Sequence, residues 1–344
     1  MADLLFDPDG VGVDSGTYFG MPFRPEEADL VLISAPWDVT VSYGAGTSYA
    51  PDALIEASTQ LDFYDPAAPD AWRRGIATAD IDYSIHELSQ RLRQDARRVI
   101  EHLERGGSTE DDRVVRKIRR VNEGSSVMNA TIREQASHWL SQRKLVGLVG
   151  GDHSTPLGLI AALGERHPHF GILHIDAHCD LREAYEGFHY SHASIMYNVL
   201  QEVPAVDRIV QVAVRDFSAI ERYTAEQSGR VVQYDDHRLM EAAAEGVSWR
   251  EMADRIVAEL PEEVYVSFDI DGLDLPYCPH TGTPVPGGLS YNEAVYLLKR
   301  VVDSGRRIIG FDVVEVCAHE EDRVDVAVGA RILWKLCGQT LRRE

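Results

Sequence analysis

Four short segments concentrate the residues that can do chemistry. The first is Gly150-Gly151-Asp152-His153-Ser154, where two glycines permit a tight turn that brings His153 to the end of an apolar run. The second is His174-Ile175-Asp176-Ala177-His178-Cys179-Asp180. Strand side chains alternate with period two, so Asp176, His178 and Asp180 can converge on one side while Ala177 and Cys179 point away. Three ionisable groups facing one way at a strand end repel one another and desolvate badly without a cation. A metal site therefore outweighs a polar turn. His174 has the same parity but lies deeper, as a residue behind the ligands. The third segment, Ser267-Phe268-Asp269-Ile270-Asp271-Gly272-Leu273-Asp274, puts Asp269 and Asp271 on one face and leaves Asp274 to cap the loop. The fourth, Asp312-Val313-Val314-Glu315-Val316, closes an apolar run with a carboxylate.

The first three segments supply two histidines and four aspartates. Such N/O donors suit Mn, Fe, Co or Ni better than a thiolate-selective metal. Four carboxylates carry −4, which two divalent ions match with +4. Ions roughly 3.5–4 Å apart can share a water and acidify it to near neutrality, giving a hydrolytic nucleophile without Ser or Cys. No GxSxG elbow and no Gly-rich phosphate loop is present.

Elements must carry these segments to one place. Short runs rich in β-branched residues at 30–35, 145–149, 171–175, 209–214, 264–268 and 308–313 read as strands. Between them, 51–60, 157–166, 249–260 and 292–304 show helical periodicity. Strands alternating with helices imply parallel βαβ units: an α/β fold, a three-layer α/β/α sandwich with a mainly parallel central sheet. Each chemical segment then sits at the carboxyl end of a strand, where open parallel sheets bind ligands. Residues 85–143 break the rhythm with charged, helical patterning around a Gly106-Gly107-Ser108 break. We read them as a solvated helical insertion, with a charged loop near 110–113, in a single domain spanning 1–344.

Composition narrows the class. With 34 Lys+Arg against 56 Asp+Glu the formal charge is −22, which disfavours nucleic acid as a partner. The four cysteines, Cys179, Cys278, Cys317 and Cys337, are scattered without a CxxC pair. The opening MADLLFDPDG lacks the basic-then-apolar pattern of a signal peptide. No run approaches the roughly 20 apolar residues of a membrane span. These features lead us to expect a cytoplasmic protein with no membrane partner.

In order, GGDHS, DAHCD and SFDIDGLD followed by TGTPVPGGL resemble the motif series of the ureohydrolase (arginase/agmatinase) superfamily, and the resemblance extends over most of the chain. It implies a binuclear hydrolase that cleaves a guanidinium C–N bond of a small cationic guanidino substrate and releases urea. It implies that His153, Asp176, His178, Asp180, Asp269 and Asp271 hold two divalent metal ions, Ni2+ or Mn2+, with Asp176 also orienting the nucleophile. His192 matches the family histidine that passes protons to the leaving amine. Glu315 matches the carboxylate that grips the guanidinium through paired charge-assisted hydrogen bonds, and Thr283 a threonine lining that pocket. Thr40 is a further candidate on the substrate side. Family members commonly form trimers or hexamers, so a homo-oligomer is expected.

Arg182 stands where arginases place an Asn that reads the amino-acid carboxylate, which argues against arginase proper. Residues 37–43, 61–65 and 185–198, with the helical insertion, look closest to the nickel-dependent guanidine hydrolase branch. Free guanidine is therefore the first expectation, with Trp37, Tyr43, Tyr185, Phe188 and Tyr190 either narrowing the pocket or packing. Agmatinase or guanidinobutyrase is the alternative; a long amine needs a carboxylate at the pocket mouth, for which Glu183 or Glu186 is available. A mononuclear, non-ureolytic deacylase is the reading from another class. His280, smaller in agmatinases, either shapes the pocket or packs.

Overall fold

The computed structural model describes residues 6–319 and 321–342. The first half of MADLLFDPDG, on which the signal-peptide expectation rests, lies outside them. Among the described residues eight strands run β1 (Leu30–Ser34), β2 (Ile76–Thr78), β3 (Leu145–Val149), β4 (Phe170–Ile175), β5 (Val206–Val212), β6 (Val231–Tyr234), β7 (Glu263–Asp269) and β8 (Arg307–Val314). They pair in one sheet, ordered β2-β1-β3-β8-β7-β4-β5-β6, and every pair is parallel. The helices are α1 (Ala50–Ser58), α2 (Tyr83–Glu104), α3 (Asp112–Ser141), α4 (Leu157–Gly164), α5 (Ile195–Glu202), α6 (Ala219–Ser228), α7 (Asp236–Ala244), α8 (Trp249–Ala258), α9 (Tyr291–Asp303) and α10 (Val324–Leu341).

Alternation along the strands divides the core in two. Leu30 and Leu32 face one cluster with α1 and α7–α10, while Val31 and Ile33 face the other with α2–α6. That is the expected three-layer α/β/α sandwich. Because both faces are covered, the central strands read as unbroken apolar runs, as in other buried parallel sheets.

Two parts of the sequence reading need correction. β2 and β6 were not expected; both are short edge strands, of three and four residues, too brief to show a period. The 85–143 segment is helical as expected but is not a solvated excursion. Along α3, Val121, Met128, Ile132, Ala136 and Leu140 are buried, and along α2 Leu92, Ala96 and Val99 are buried. This stripe covers one face of the sheet, and the many charges occupy the opposite side of each helix. The second helix also starts inside the expected 110–113 loop, where the Asp111 carboxylate accepts from Arg113 N at 2.8 Å and caps α3.

Candidate metal centre and active-site cavity

The sheet order makes β3, β8, β7 and β4 consecutive neighbours, and all four chemical segments leave their carboxyl ends. All six residues expected as ligands come together there. His153 Nδ1 lies 2.9 Å from Asp176 Oδ2, 3.2 Å from Asp180 Oδ2 and 3.1 Å from Asp269 Oδ2. On the other side, His178 Nδ1 lies 3.4 Å from Asp176 Oδ1 and 3.2 Å from Asp271 Oδ2. Asp176 thus turns one oxygen to each imidazole. Two groups able to hold a metal ion result, His153-His174-Asp176-Asp180 and Asp176-His178-Asp271, sharing Asp176.

Local backbone fixes these positions. Asp269 ends β7, and its Oδ1 accepts from Asp271 N at 2.9 Å, which starts a one-turn helix, Ile270–Gly272. Asp271 Oδ1 accepts from Ala177 N at 3.0 Å, tying the β7 loop to the β4 loop. Gly272 makes that approach possible, because a Cβ there would sit 2.6 Å from Asp176 N. Asp180 adopts a left-handed φ of 53°, a strain often stored at functional positions. Behind the ligands, Ser267 Oγ meets His153 Nε2 at 2.9 Å. Gln211 donates to His174 Nδ1 at 3.0 Å, so His174 Nε2 carries the proton and donates to Asp176 Oδ2 at 2.8 Å. His174 therefore supports Asp176, as its depth in the strand suggested.

The donor set fits cations. His153 Nδ1 and Asp271 Oδ2 are buried, and their short approaches to the facing groups lack hydrogen-bond geometry. Burial and the repulsion of Asp176 push the Asp180 carboxyl up to about 7. Burial, with Asp271 and Asp176 nearby, raises Asp269 well above the carboxylate range. Burial opposes protonation of His153 and His178, yet the facing carboxylates raise both well above the usual imidazole range. The protein alone must borrow protons to neutralise this cluster, and divalent ions would supply that charge instead.

Glu315 follows β8 with a φ of 58°. Its Oε1 accepts from His153 N at 2.9 Å, while Oε2 is buried without a partner. That oxygen faces Gly282, where a Cβ would lie 3.1 Å away. Thr281 Oγ1 donates to Glu315 O at 2.9 Å, joining the Thr283 loop to the Glu315 loop. His192 begins a single turn, His192–Ser194, and burial, then His178 and His153, push its imidazole down to about 3. Thr40 does not line the cavity. Fully buried, its hydroxyl lies 3.4 Å from His192 Nδ1 and accepts from His192 N at 3.3 Å, so it holds the histidine.

A cavity of about 410 Å³ opens beside His178, Asp180, His192 and Thr283. Of the aromatics considered, Tyr43 and Tyr185 line it, whereas Trp37 and Phe188 are core residues. Glu183 and Glu186 do not line it; the carboxylates there, besides Asp180, are Asp216 and Glu221. Both were missed, although Asp216 follows a strand end and Ser218-x-x-Glu221 is a readable capping box. Arg182 lines the cavity too, 3.5 Å from Glu221 and over the Tyr185 ring at 4.9 Å. His280 lies away from it, with Nδ1 2.9 Å from Asp325 and its ring stacked on His319 at 4.1 Å.

The arginase family model matches residues 28–338. The chain belongs to the arginase family. This arginase-family chain is 32% identical over 300 residues to an N(1)-aminopropylagmatine ureohydrolase of Thermus thermophilus, covering 87% of this chain and 86% of that protein. It is 26% identical to an agmatinase of Pyrococcus horikoshii, covering 92% and 94%. The solved proclavaminate amidino hydrolase of Streptomyces clavuligerus superposes with a TM-score of 0.74 over 97% of this chain and 99% of that one, at 24% identity, a likeness of fold. The protein is accordingly a ureohydrolase-class enzyme, with a His/Asp cluster able to bind metal.

Proposed function

We propose that this arginase-family enzyme hydrolyses a guanidino-alkylamine of the agmatine type, giving urea and a diamine. The observation that carries the reading is the pair of ligand groups sharing Asp176 at the floor of a cavity whose walls add Asp216 and Glu221. Free guanidine, the first expectation from the sequence, needs neither a cavity of about 410 Å³ nor a second acidic group. The agmatine-type relatives support the alternative as well. Arg182 favours a second reading, a carboxylate tail as in 4-guanidinobutyrate, but it is already engaged by Glu221.

Two divalent ions, manganese or nickel, held by His153, Asp176, His178, Asp180, Asp269 and Asp271, would acidify water for attack and stabilise the developing charge. Glu315 binds the guanidinium through its free Oε2 and so fixes the carbon over the ligand cluster. Thr283 lines the approach, and Tyr43 and Tyr185 wall the alkyl chain. Asp216 receives the distal ammonium, and Glu221, whose oxygens already accept from Ser218 and Leu181 N and pair with Arg182, adds negative charge to that wall. His192 Nδ1 is occupied by Thr40 and Ser191, which leaves Nε2 of this neutral imidazole to take a proton from the attacking water and return it to the departing nitrogen. The same reading carries a cytoplasmic homo-oligomer, trimer or hexamer. Among the described residues no helix is long and apolar enough to cross a membrane.

The test supplies agmatine, an N-substituted agmatine, 4-guanidinobutyrate, arginine and guanidine to protein loaded with Mn or Ni, and measures urea. We expect kcat/KM for the agmatine class to exceed that for guanidine by an order of magnitude or more. The reverse order would restore the guanidine reading.

A further inference from the structure

Two loops hold His192, and both are gripped from outside by the helical pair α2–α3. The first loop carries Thr40, whose hydroxyl touches His192 N and Nδ1. Its flanking carbonyls, Val39 O and Val41 O, both accept from Arg93 Nη1 of α2. One residue earlier, Asp38 N donates to Ser89 Oγ of the same helix at 3.2 Å. The second loop runs from Tyr185 to His192. It opens with a reversal in which Tyr185 N donates to Phe188 O at 3.1 Å and Phe188 N to Tyr185 O at 2.8 Å. The two central residues, Glu186 and Gly187, have φ of 55° and 85°, so the turn is strained at a non-glycine position. Asn122 of α3 closes over it: Nδ2 donates to Gly187 O at 3.2 Å and Oδ1 accepts from His189 N at 2.9 Å.

We propose that α2 and α3 form a positioning frame for His192, acting through Arg93 on the Thr40 loop and through Asn122 on the 185–192 loop. This rests on the reading of His192 as the proton donor. Neither Arg93 nor Asn122 touches the ligand cluster or lines the cavity, so they act on the reaction through the histidine. Tyr185, on the same strained turn, stands edge-on to His192 with centroids 6.2 Å apart, so a slip of the turn moves wall and donor together. The long helices thus do more than cover the sheet. They bring one cationic and one amide side chain to two loops distant in sequence from each other.

The test uses the full chain with Arg93→Met, Arg93→Lys and Asn122→Ala, alone and with His192→Asn. Misplacing a reacting group by about 1 Å can cost about 100-fold, so kcat for the preferred guanidino substrate should fall about 10- to 100-fold in Arg93→Met and Asn122→Ala. KM and metal content should stay near those of the parent, and Lys at position 93 should recover most of the loss. With His192→Asn in place, the same substitutions should lower kcat no further, because the group they position is gone. Amide hydrogen exchange at residues 187–193 should accelerate in Asn122→Ala while the central strands keep their protection. Parental kcat, an equal loss with and without His192, or unchanged exchange at 187–193 would overturn the proposal. If the parent released no urea from any guanidino compound, the functional reading would fall, and exchange would still decide whether Asn122 holds the loop.

Discussion

Asp176 faces both imidazoles of the candidate centre, Oδ2 toward His153 and Oδ1 toward His178. Its parity with His178 and Asp180 is legible in DAHCD, because a period of two survives the end of a strand. What parity does not give is the left-handed turn at Asp180 or at Glu315, since neither residue type advertises positive φ. The role of Thr40 was likewise hidden: a threonine that reaches substrate and one that reaches a histidine look alike in sequence. Glu186 offers a prediction at this scale. Burial, with Glu104 nearby, pushes its carboxyl up to about 7, and its Oε2 has no partner. The folded chain therefore holds a proton there that the unfolded chain releases near pH 4.5. Stability from this group is present below that pH and is lost as pH rises through about 7. Glu186→Gln should flatten that limb of a melting-temperature profile and raise Tm at alkaline pH. An unchanged profile would contradict the assignment.

At the scale of elements, the central strands and the helices between them were readable because burial on both faces writes long apolar runs. The α2–α3 pair was misjudged because its apolar stripe is diluted by arginines and glutamates on the outer side, so average polarity masked a 3–4 spacing. Close packing between α3 and α4 depends on Gly158. A Cβ there would lie 2.4 Å from Asn129 O and 2.8 Å from Arg133 N, both backbone atoms that cannot swing aside. Gly158→Ala should therefore push the two helices apart and cost about 1–3 kcal/mol, as overpacking does. Denaturant unfolding measures this. A neutral or stabilising effect, as expected of a simple gain in helix propensity, would show that the helices are less tightly joined.

For the whole molecule, the order of the sheet is what no local pattern could supply. Segments at 150, 176, 269 and 315 converge only because β3, β8, β7 and β4 are neighbours. The motif series made that convergence expected by resemblance, and residue chemistry made it plausible through charge, but strand adjacency is a property of the folded chain. The acidic cavity wall at Asp216 and Glu221 arises in the same way, from β5 lying beside β4 and carrying the chain on to Asp216 and α6. The account stands most directly on how many ions this arrangement holds, counted per chain by elemental analysis after dialysis from excess Mn or Ni. It predicts two for the parent, one for Asp271→Ala, and fewer than one for Asp176→Ala, since that carboxylate belongs to both groups. A parent that retained one ion or none, or an Asp176→Ala variant that kept two, would contradict it.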